Sequence, residues 1–360
     1  MNGTSVVRFP KLGWIFNVNN VAFEFTMPFT NNVISIKWYG IIITFGFLLA
    51  VLFGGRMAYK WKINLDKMLD VLLYGTFGGI IGARLYYVAF EWQYYSKHPA
   101  EIFAVWNGGL AIYGGLIAGI IAAFIVCKKE KINFLNLLDM ACMSFLIGQG
   151  IGRWGNFTNQ EAFGCNTNLP WGMTSSKIAS YIQENQSFFA QNGITADYRL
   201  PVHPTFLYES IWCLLGFALL YLICRKWRKF SGQLALVYGV WYGTERAFVE
   251  GLRLDSLYIP NTTIRVSQLL SAALAIVCLG VLIYYTVKYT KNPKPIEGVD
   301  YYFTSKGEKV PMDYVEPKDE VKKSEEKADE EDSEKDENDI QDSTLNKAEE
   351  EEEKADGTDN

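Results

Sequence analysis

The stretch GQGIGRWGNFTNQEAFG, Gly148 to Gly164, concentrates polar side chains that suit an anionic ligand. Arg153 is followed at short spacing by Asn156, Asn159 and Glu161. Glycines between them remove side chains where an apolar helix is expected to end, which permits close packing and exposes backbone N–H groups. An arginine beside free backbone donors suits a phosphate. The alternative is a glycine-rich turn whose arginine reaches the lipid headgroups.

A second polar set recurs with helical spacing. Tyr238, Tyr242, Arg246 and Glu250 follow one another every four residues, and Arg253 lies three residues further on. At about 100° per residue, all five stay within roughly a third of the helix circumference. Such a stripe must face a cavity or a bundle interior, where Arg246 and Glu250 are placed to pair. The alternative is an ion pair that only locks helices together.

Single polar residues near the ends of other apolar runs are further candidates. Tyr39 lies in KWYG, Tyr113 lies in WNGGLAIYGGLIAG, and His203 precedes Glu209 in HPTFLYES, while Arg84 lies inside an apolar run. Charges within apolar segments are costly and usually functional. For both tyrosines, the alternative is a place in the aromatic belt at the membrane surface.

Composition divides the chain into an apolar basic body and an acidic tail. The chain has 360 residues, 49% of them apolar, and a net charge of −5. Residues from Lys318 onward carry 20 acidic and 7 basic side chains, a net of −13, so the rest carries +8. An ordinary soluble enzyme and a nucleic-acid binder are both excluded, because the basic residues form short clusters between apolar runs.

Histidine and cysteine usage gives no metal centre. The chain has two histidines, six cysteines and no CxxC pair, and five cysteines lie in or beside apolar runs. Buried cysteine usually behaves as a small hydrophobic residue. We therefore predict no cofactor and no metal.

Seven segments are apolar enough to cross a bilayer, which needs about 20 residues. They are Ile34–Phe53, Met68–Phe90, Gly109–Cys127, Leu135–Ile151, Thr205–Cys224, Gln233–Glu250 and Val266–Val287. The predicted fold class is therefore an all-α polytopic membrane protein with seven transmembrane helices.

Basic residues predict the orientation of these spans. Clusters follow the first, third, fifth and seventh spans, around Arg56, Lys129, Arg225 and Lys291, whereas the alternate loops are poorer in lysine and arginine. By the positive-inside rule, the N-terminus lies outside and the C-terminus is cytoplasmic.

The predicted spans and the charge distribution divide the chain into three parts. Residues 1–33 form an exterior N-terminal arm, and residues 34–287 form the membrane domain, with a small exterior loop subdomain at about 152–204. Residues 288–360 form a cytoplasmic acidic tail, which is expected to be disordered because it has too few apolar residues to form a core.

Several elements together resemble a known family, the bacterial prolipoprotein diacylglyceryl transferases. GRWGNFTNQEAFG is similar to that family's G-R-x-G-N-F-x-N-x-E-x-x-G signature, with every fixed position present. HPTFLYES resembles its HP-x-x-LYE element, and YGTERAFVEGLR resembles its YG-x-x-R-x-x-x-E-x-x-R element. KWYG and VSQLLS also match in order, so the resemblance covers about 70% of the chain.

The resemblance implies an activity and its partners. Family members move the diacylglyceryl group of phosphatidylglycerol to the lipobox cysteine thiol of a prolipoprotein, forming a thioether and releasing glycerol-1-phosphate. It places the protein in the bacterial plasma membrane with its site towards the exterior. The expected partners are phosphatidylglycerol, prolipoprotein lipobox peptides and membrane lipid, and no nucleic acid.

The resemblance also implies residue roles. Arg153 and Arg246 match the family's functional arginines and are predicted to bind the phosphate as it leaves. The remaining residues are predicted to shape, line or support the site, with His203 orienting a loop–helix junction; they are Tyr39, Asn156, Asn159, Glu161, Gly164, His203, Tyr242, Glu250 and Arg253.

Tyr113 marks a departure from the family pattern. The family often has histidine there, in an HGGL element that is YGGL in this chain. A mechanism with that histidine as general base does not transfer unchanged. We therefore assign Tyr113 to the catalytic set as a neutral hydrogen-bond donor.

Two other classes of protein fit the membrane pattern. A secondary transporter for an anionic solute would also need arginines within spans, but such proteins tend to place charges near the midplane and to show repeats. In a non-catalytic receptor or assembly factor, the polar stripe would be an ion-pair lock alone.

Overall fold

The computed structural model describes residues 4–26, 33–254, 256, 262, 265–292, 294, 296, 301–303 and 309–311. Long helices dominate these ranges, which confirms the predicted helical architecture. The acidic stretch from Lys318 onward lies outside the described residues.

Seven helices of 19 to 26 residues run through the described chain. Three short helices and two 3₁₀ turns, Pro99–Phe103 and Val105–Asn107, lie in the connections between them. In chain order the helices are α1 (Trp38–Lys60), α2 (Leu65–Phe90), α3 (Trp92–Tyr95), α4 (Ile112–Glu130), α5 (Phe134–Asn159), α6 (Ser176–Glu184), α7 (Gln186–Gln191), α8 (Thr205–Lys226), α9 (Gln233–Leu252) and α10 (Val266–Lys291).

Six of the long helices are long and apolar enough to cross a membrane: α1, α2, α4, α5, α8 and α10. Helix α9 has a similar length, but Glu245, Arg246 and Glu250 lower its apolar character. The chain is therefore a predominantly helical, multi-pass membrane protein.

Short antiparallel sheets accompany the helices. β1 (Thr4–Phe9) pairs with β2 (Trp14–Asn19), and β3 (Val21–Thr26) pairs with β4 (Val33–Lys37). The predicted start of the first span at Ile34 is wrong, because VISIK forms β4 and α1 begins only at Trp38. β-Branched residues alternating with polar ones favour a strand. In the C-terminal unit, β5 (Tyr301–Phe303) pairs with β6 (Lys309–Pro311).

The first hairpin shares a hydrophobic core with the long connection between α5 and α8. Arg8 and Thr174 exchange backbone hydrogen bonds of 2.8 and 2.9 Å. Val7 and Val202 are completely buried in this core, beside Ile182 of α6. The N-terminal residues therefore help to hold the polypeptide that leads into and out of the α5 C-terminus.

Arg84 of α2 holds the α2–α4 connection. Its Nε donates to the Ile102 carbonyl at 2.8 Å, and Nη1 donates to the carbonyls of Gly108 and Gly109 at 2.7 and 3.0 Å. Nη2 donates to the Glu101 carbonyl at 2.5 Å. The guanidinium of this buried arginine thus donates its hydrogen bonds to backbone carbonyls, and its role is structural.

Candidate active site

Glu209, near the start of α8, joins two arginines from different helices. Its Oε2 lies 2.6 Å from Arg153 Nη1 of α5, and its Oε1 lies 3.1 Å from Arg246 Nη1 of α9. Arg246 Nη2 also lies 2.6 Å from Glu250 Oε2, which confirms the pairing predicted from their spacing. We call Arg153, Glu209, Arg246 and Glu250 the arginine cluster.

The arginine cluster is buried on its acidic side and partly open on its basic side. The side chains of Glu209 and Glu250 are 1% and 4% exposed, whereas those of Arg153 and Arg246 are each 18% exposed. Within the described ranges, Nε and Nη2 of Arg153 have no hydrogen-bond partner. A guanidinium has five N–H donors, so both arginines are held by carboxylates and still present donors to a ligand.

The α9 stripe faces α5, as predicted for a stripe that avoids lipid. The rings of Tyr238 and Tyr242 stack with centroids 5.5 Å apart and planes within 3°. Gln149 Nε2 of α5 donates to the Tyr238 hydroxyl at 3.0 Å. The tyrosines therefore extend the polar line from the arginine cluster towards the middle of the bundle.

Gly148, Gly150, Gly152 and Gly155 lie inside α5, so the prediction that the apolar helix ends at these glycines is wrong. Helix α5 continues to Asn159, and the glycine N–H groups lie inside it, where helical hydrogen bonds use them. They are not free donors for a phosphate. The glycines instead permit close contact: a Cβ on Gly155 would lie 2.8 Å from Cδ2 of Tyr39. Tyr39, at the start of α1, therefore packs against α5 at Gly155, two residues from Arg153 in the sequence.

The predicted polar residues at the end of α5 come together around one carboxylate. Glu161 Oε1 accepts hydrogen bonds from Nδ2 of Asn156 at 2.9 Å and from Nδ2 of Asn159 at 3.3 Å. The helix ends at Gln160 in the left-handed conformation, with φ of 51°. This turn folds Glu161 back towards the two asparagines, and the carboxylate remains exposed.

Gly164, His203 and Arg253 meet through their backbones. The Gly164 N–H donates to the His203 carbonyl at 2.9 Å, and Gly164 also forms a β-bridge with Arg253. A Cβ on Gly164 would lie 2.8 Å from the Cβ of His203, so only glycine fits between these segments.

His203 is part of a hydrogen-bonded chain at the loop–helix junction. Its Nδ1 lies 3.0 Å from the Tyr208 hydroxyl, which accepts from Trp171 Nε1 at 2.7 Å. Burial lowers the pKa of His203, so the ring is neutral near pH 7. His203 thus lies at the junction between the exterior connection and α8, where an orienting role was predicted.

Tyr113 lies apart from these contacts. It is the second residue of α4 and is 45% exposed. Within the described part of the chain, no hydrogen bond or ring contact joins it to the arginine cluster. The structure therefore brings Tyr39, but not Tyr113, beside the arginine-bearing helix.

Two carboxylates received no role from the sequence. Glu209 is the centre of the arginine cluster. The sequence marked it only as an acidic residue inside an apolar span that contains no basic residue to pair with it. Glu245 of α9 is 3% exposed, and both its oxygens lack a hydrogen-bond partner among the described residues. Its position between two predicted site residues, Tyr242 and Arg246, was the only sequence signal.

The fold and this cluster define a multi-pass membrane protein with two carboxylate-paired arginines near one end of its apolar helix bundle. The family model described as prolipoprotein diacylglyceryl transferase matches residues 27–284. The chain belongs to this family.

Curated relatives agree with the match over most of their length. The phosphatidylglycerol–prolipoprotein diacylglyceryl transferase of Finegoldia magna is 44% identical over 259 residues, which cover 72% of this chain and 93% of that protein. The protein of the same name from Staphylococcus aureus strain Newman is 40% identical over 275 residues, 76% of this chain and 93% of its own.

Proposed function

We propose that this protein transfers the diacylglyceryl group of phosphatidylglycerol to the lipobox cysteine thiol of prolipoproteins. The relatives' names supply the reaction, and the family match covers the residues that form the site. The observation that carries the proposal is the arginine pair held by Glu209 at one end of an apolar bundle. The anion present at the end of a membrane-spanning helix bundle is a lipid phosphate.

The arginines fit the electron flow of the reaction. The cysteine thiol releases its proton, and its sulfur, as thiolate, forms a bond to the phosphate-bearing carbon of the diacylated glycerol while the bond from that carbon to the phosphate oxygen breaks. The bonding pair leaves with the phosphate, so glycerol-1-phosphate departs with increased negative charge. Guanidinium groups of Arg153 and Arg246 stabilise that charge where water is scarce. No cofactor is required.

The neighbouring residues have supporting roles in this proposal. Asn156, Asn159 and Glu161 form the polar edge at the end of α5 that follows Arg153, and Tyr39 packs against the same helix at Gly155. Tyr242 and Glu250 line and support Arg246 on α9. Gly164, His203 and Arg253 join the exterior connection to the helix ends.

We place the protein in the bacterial plasma membrane with seven spans. Helix α9, the sixth long helix in chain order, is counted with the six apolar helices because its polar side chains contact α5 and α8 instead of lipid. The N-terminus and the subdomain between α5 and α8 lie outside, and the residues after α10 form the cytoplasmic tail. The arginine cluster then opens towards the exterior, where exported prolipoproteins arrive.

Cysteine labelling tests this orientation. Single cysteines at the exposed positions Asn19 and Glu184 should react with a membrane-impermeant thiol reagent in intact cells, and ones at Lys131 and Lys226 should not. The half-buried Cys165 is replaced by serine in all variants to remove its background. Burial raises the pKa of this thiol and slows its reaction, but does not abolish it. The reverse labelling pattern would invert the orientation.

Tyr113→Phe tests the role of the residue that departs from the family pattern. We expect turnover to fall no more than about tenfold, the effect of one weak hydrogen bond. The reason is its half-exposed position and its separation from the arginine cluster. Initial rates at several pH values around neutrality measure this, with Tyr74→Phe on α2 as the exposed control. Activity at the detection limit, with normal protein level, would make Tyr113 the proton acceptor.

The function itself is tested with purified protein in vesicles. Phosphatidylglycerol labelled in its diacylglyceryl group is incubated with a lipobox peptide, and a peptide with serine for the lipobox cysteine is the control. We expect a thioether-linked lipopeptide and one equivalent of glycerol-1-phosphate from the cysteine peptide alone. Movement of anionic solute across the membrane without covalent product would favour a transporter, and neither activity would favour a non-catalytic protein.

A further inference from the structure

The β3–β4 hairpin has one face made of large apolar side chains. In its register Phe23 pairs with Ile36, and Phe25 pairs with Ile34. Paired residues on antiparallel strands lie on the same side, and positions two apart share a face. Phe23, Phe25 and Ile34 are 54%, 45% and 36% exposed, so the described residues do not cover this face.

The opposite face differs in character. Glu24 pairs with Ser35, and the Ser35 hydroxyl donates to Glu24 Oε1 at 2.9 Å. Thr26 and Val33 form the next pair on that side. The hairpin is therefore amphipathic, with its aromatic residues on one side and its charged residue on the other.

The hairpin is fixed to the start of a membrane helix. Strand β4 ends at Lys37, and α1 begins at the next residue. The Trp38 N–H donates to the Asn20 carbonyl at 3.0 Å, which ties the start of α1 to the turn between β2 and β3. With no linker available, the hairpin must lie where α1 leaves the hydrocarbon region. Lysine and tryptophan at this junction are typical of the membrane–water interface.

The energetics of the hairpin also require a covering environment. An isolated two-stranded hairpin is at best marginally stable in water. A contiguous apolar patch on a protein surface usually marks an interaction site. The outward surface of α1 is itself apolar, with Phe45 and Leu52 56% and 62% exposed, and is suited to lipid. The apolar hairpin face directly precedes this helix in the chain and is likewise exposed.

We propose that the apolar face of the β3–β4 hairpin binds phospholipid at the membrane surface, with Phe23, Phe25 and Ile34 among the upper acyl chains. The polar face then points to water. The hairpin thereby holds the start of α1, and Tyr39 with it, at a fixed depth beside Gly155. This inference goes beyond the transfer reaction and does not depend on it.

Photocrosslinking in the full-length protein tests the proposal. The photoreactive amino acid p-benzoylphenylalanine replaces Phe23 or Phe25 on the apolar face, and Glu24 or Ser35 on the polar face as matched controls. The protein is placed in vesicles of phosphatidylcholine alone, so that phosphatidylglycerol bound at the reaction site contributes no adduct. Thermal unfolding must match that of the unsubstituted protein.

We expect phosphatidylcholine adducts at positions 23 and 25 with at least about fivefold higher yield than at 24 and 35, because amphipathic elements bury one face at the interface. Equal yields on the two faces would overturn the proposal. So would adducts at positions 23 and 25 that join mainly a second copy of this chain, or a prolipoprotein added to the vesicles.

Discussion

Arg153→Lys and Arg246→Lys are each expected to lower turnover of phosphatidylglycerol at least about 100-fold, comparable to losing one oxyanion-hole donor. Lysine keeps the charge but loses the planar fork that contacts two oxygens at once. Each lysine variant is expected to lose two kinds of contact, because each arginine must contact Glu209 and still present donors to the ligand. An ammonium group on a shorter, flexible chain cannot hold both contacts.

The measurement is the initial rate at saturating lipobox peptide, with lipid varied. Arg199→Lys is the matched control, because Arg199 is an exposed arginine on the connection between α7 and α8 whose guanidinium donates to the hydroxyl of its neighbour Tyr198. Its rate should be unchanged. Near-normal turnover in both cluster variants would remove the arginines from the phosphate site.

Asp139→Ala is expected to destabilise the protein by about 3–5 kcal/mol, the usual result of breaking a buried ion pair. Asp139 and Arg228 are 0% and 1% exposed, and Asp139 Oδ2 accepts from Arg228 Nη2 at 2.8 Å. The carboxylate also accepts from the N–H groups of Gly232 and Ala235, both at 2.9 Å. Its removal leaves a buried guanidinium and two N–H groups without their acceptor.

Unfolding by denaturant in detergent micelles measures this effect. Lys67→Ala is the control, since Lys67 and Glu130 form a partly exposed pair 3.6 Å apart that should contribute no more than about 1 kcal/mol. Replacing both Asp139 and Arg228 by apolar residues should recover much of the loss, because no unpaired charge remains. Equal destabilisation by Asp139→Ala and Lys67→Ala would contradict the assignment.

Most of the helical framework follows from local sequence. The predicted span Met68–Phe90 lies within α2, and Thr205–Cys224 lies within α8, because long apolar runs can form little else in a membrane. Two predicted starts are early: Gly109 precedes α4, which begins at Ile112, and Ile34 lies where an apolar run continues from strand into helix. Hydropathy does not distinguish the two, whereas the alternation in VISIK does.

The part of the site whose residues all lie on one helix was predictable from the sequence. The Arg246–Glu250 pair follows from i,i+4 spacing alone, and the stripe's inward direction follows from its charge. Glu209 was not assigned, because its partners lie 56 residues upstream and 37 residues downstream and meet it only through helix packing. The glycines of α5 were misread for the same reason: their neighbours, such as Tyr39, belong to other helices.

The contacts of Glu209 bear on how tightly this site holds any anion. Its carboxylate is an internal counterion that both arginines already share. In the proposed phosphate site, an arriving phosphate therefore shares each guanidinium with a carboxylate that stays in place. This sharing keeps ground-state affinity modest while the donors stay oriented. When the product leaves, both arginines still contact Glu209, so that release of a doubly charged phosphate monoester does not leave two unpaired cations inside the bundle.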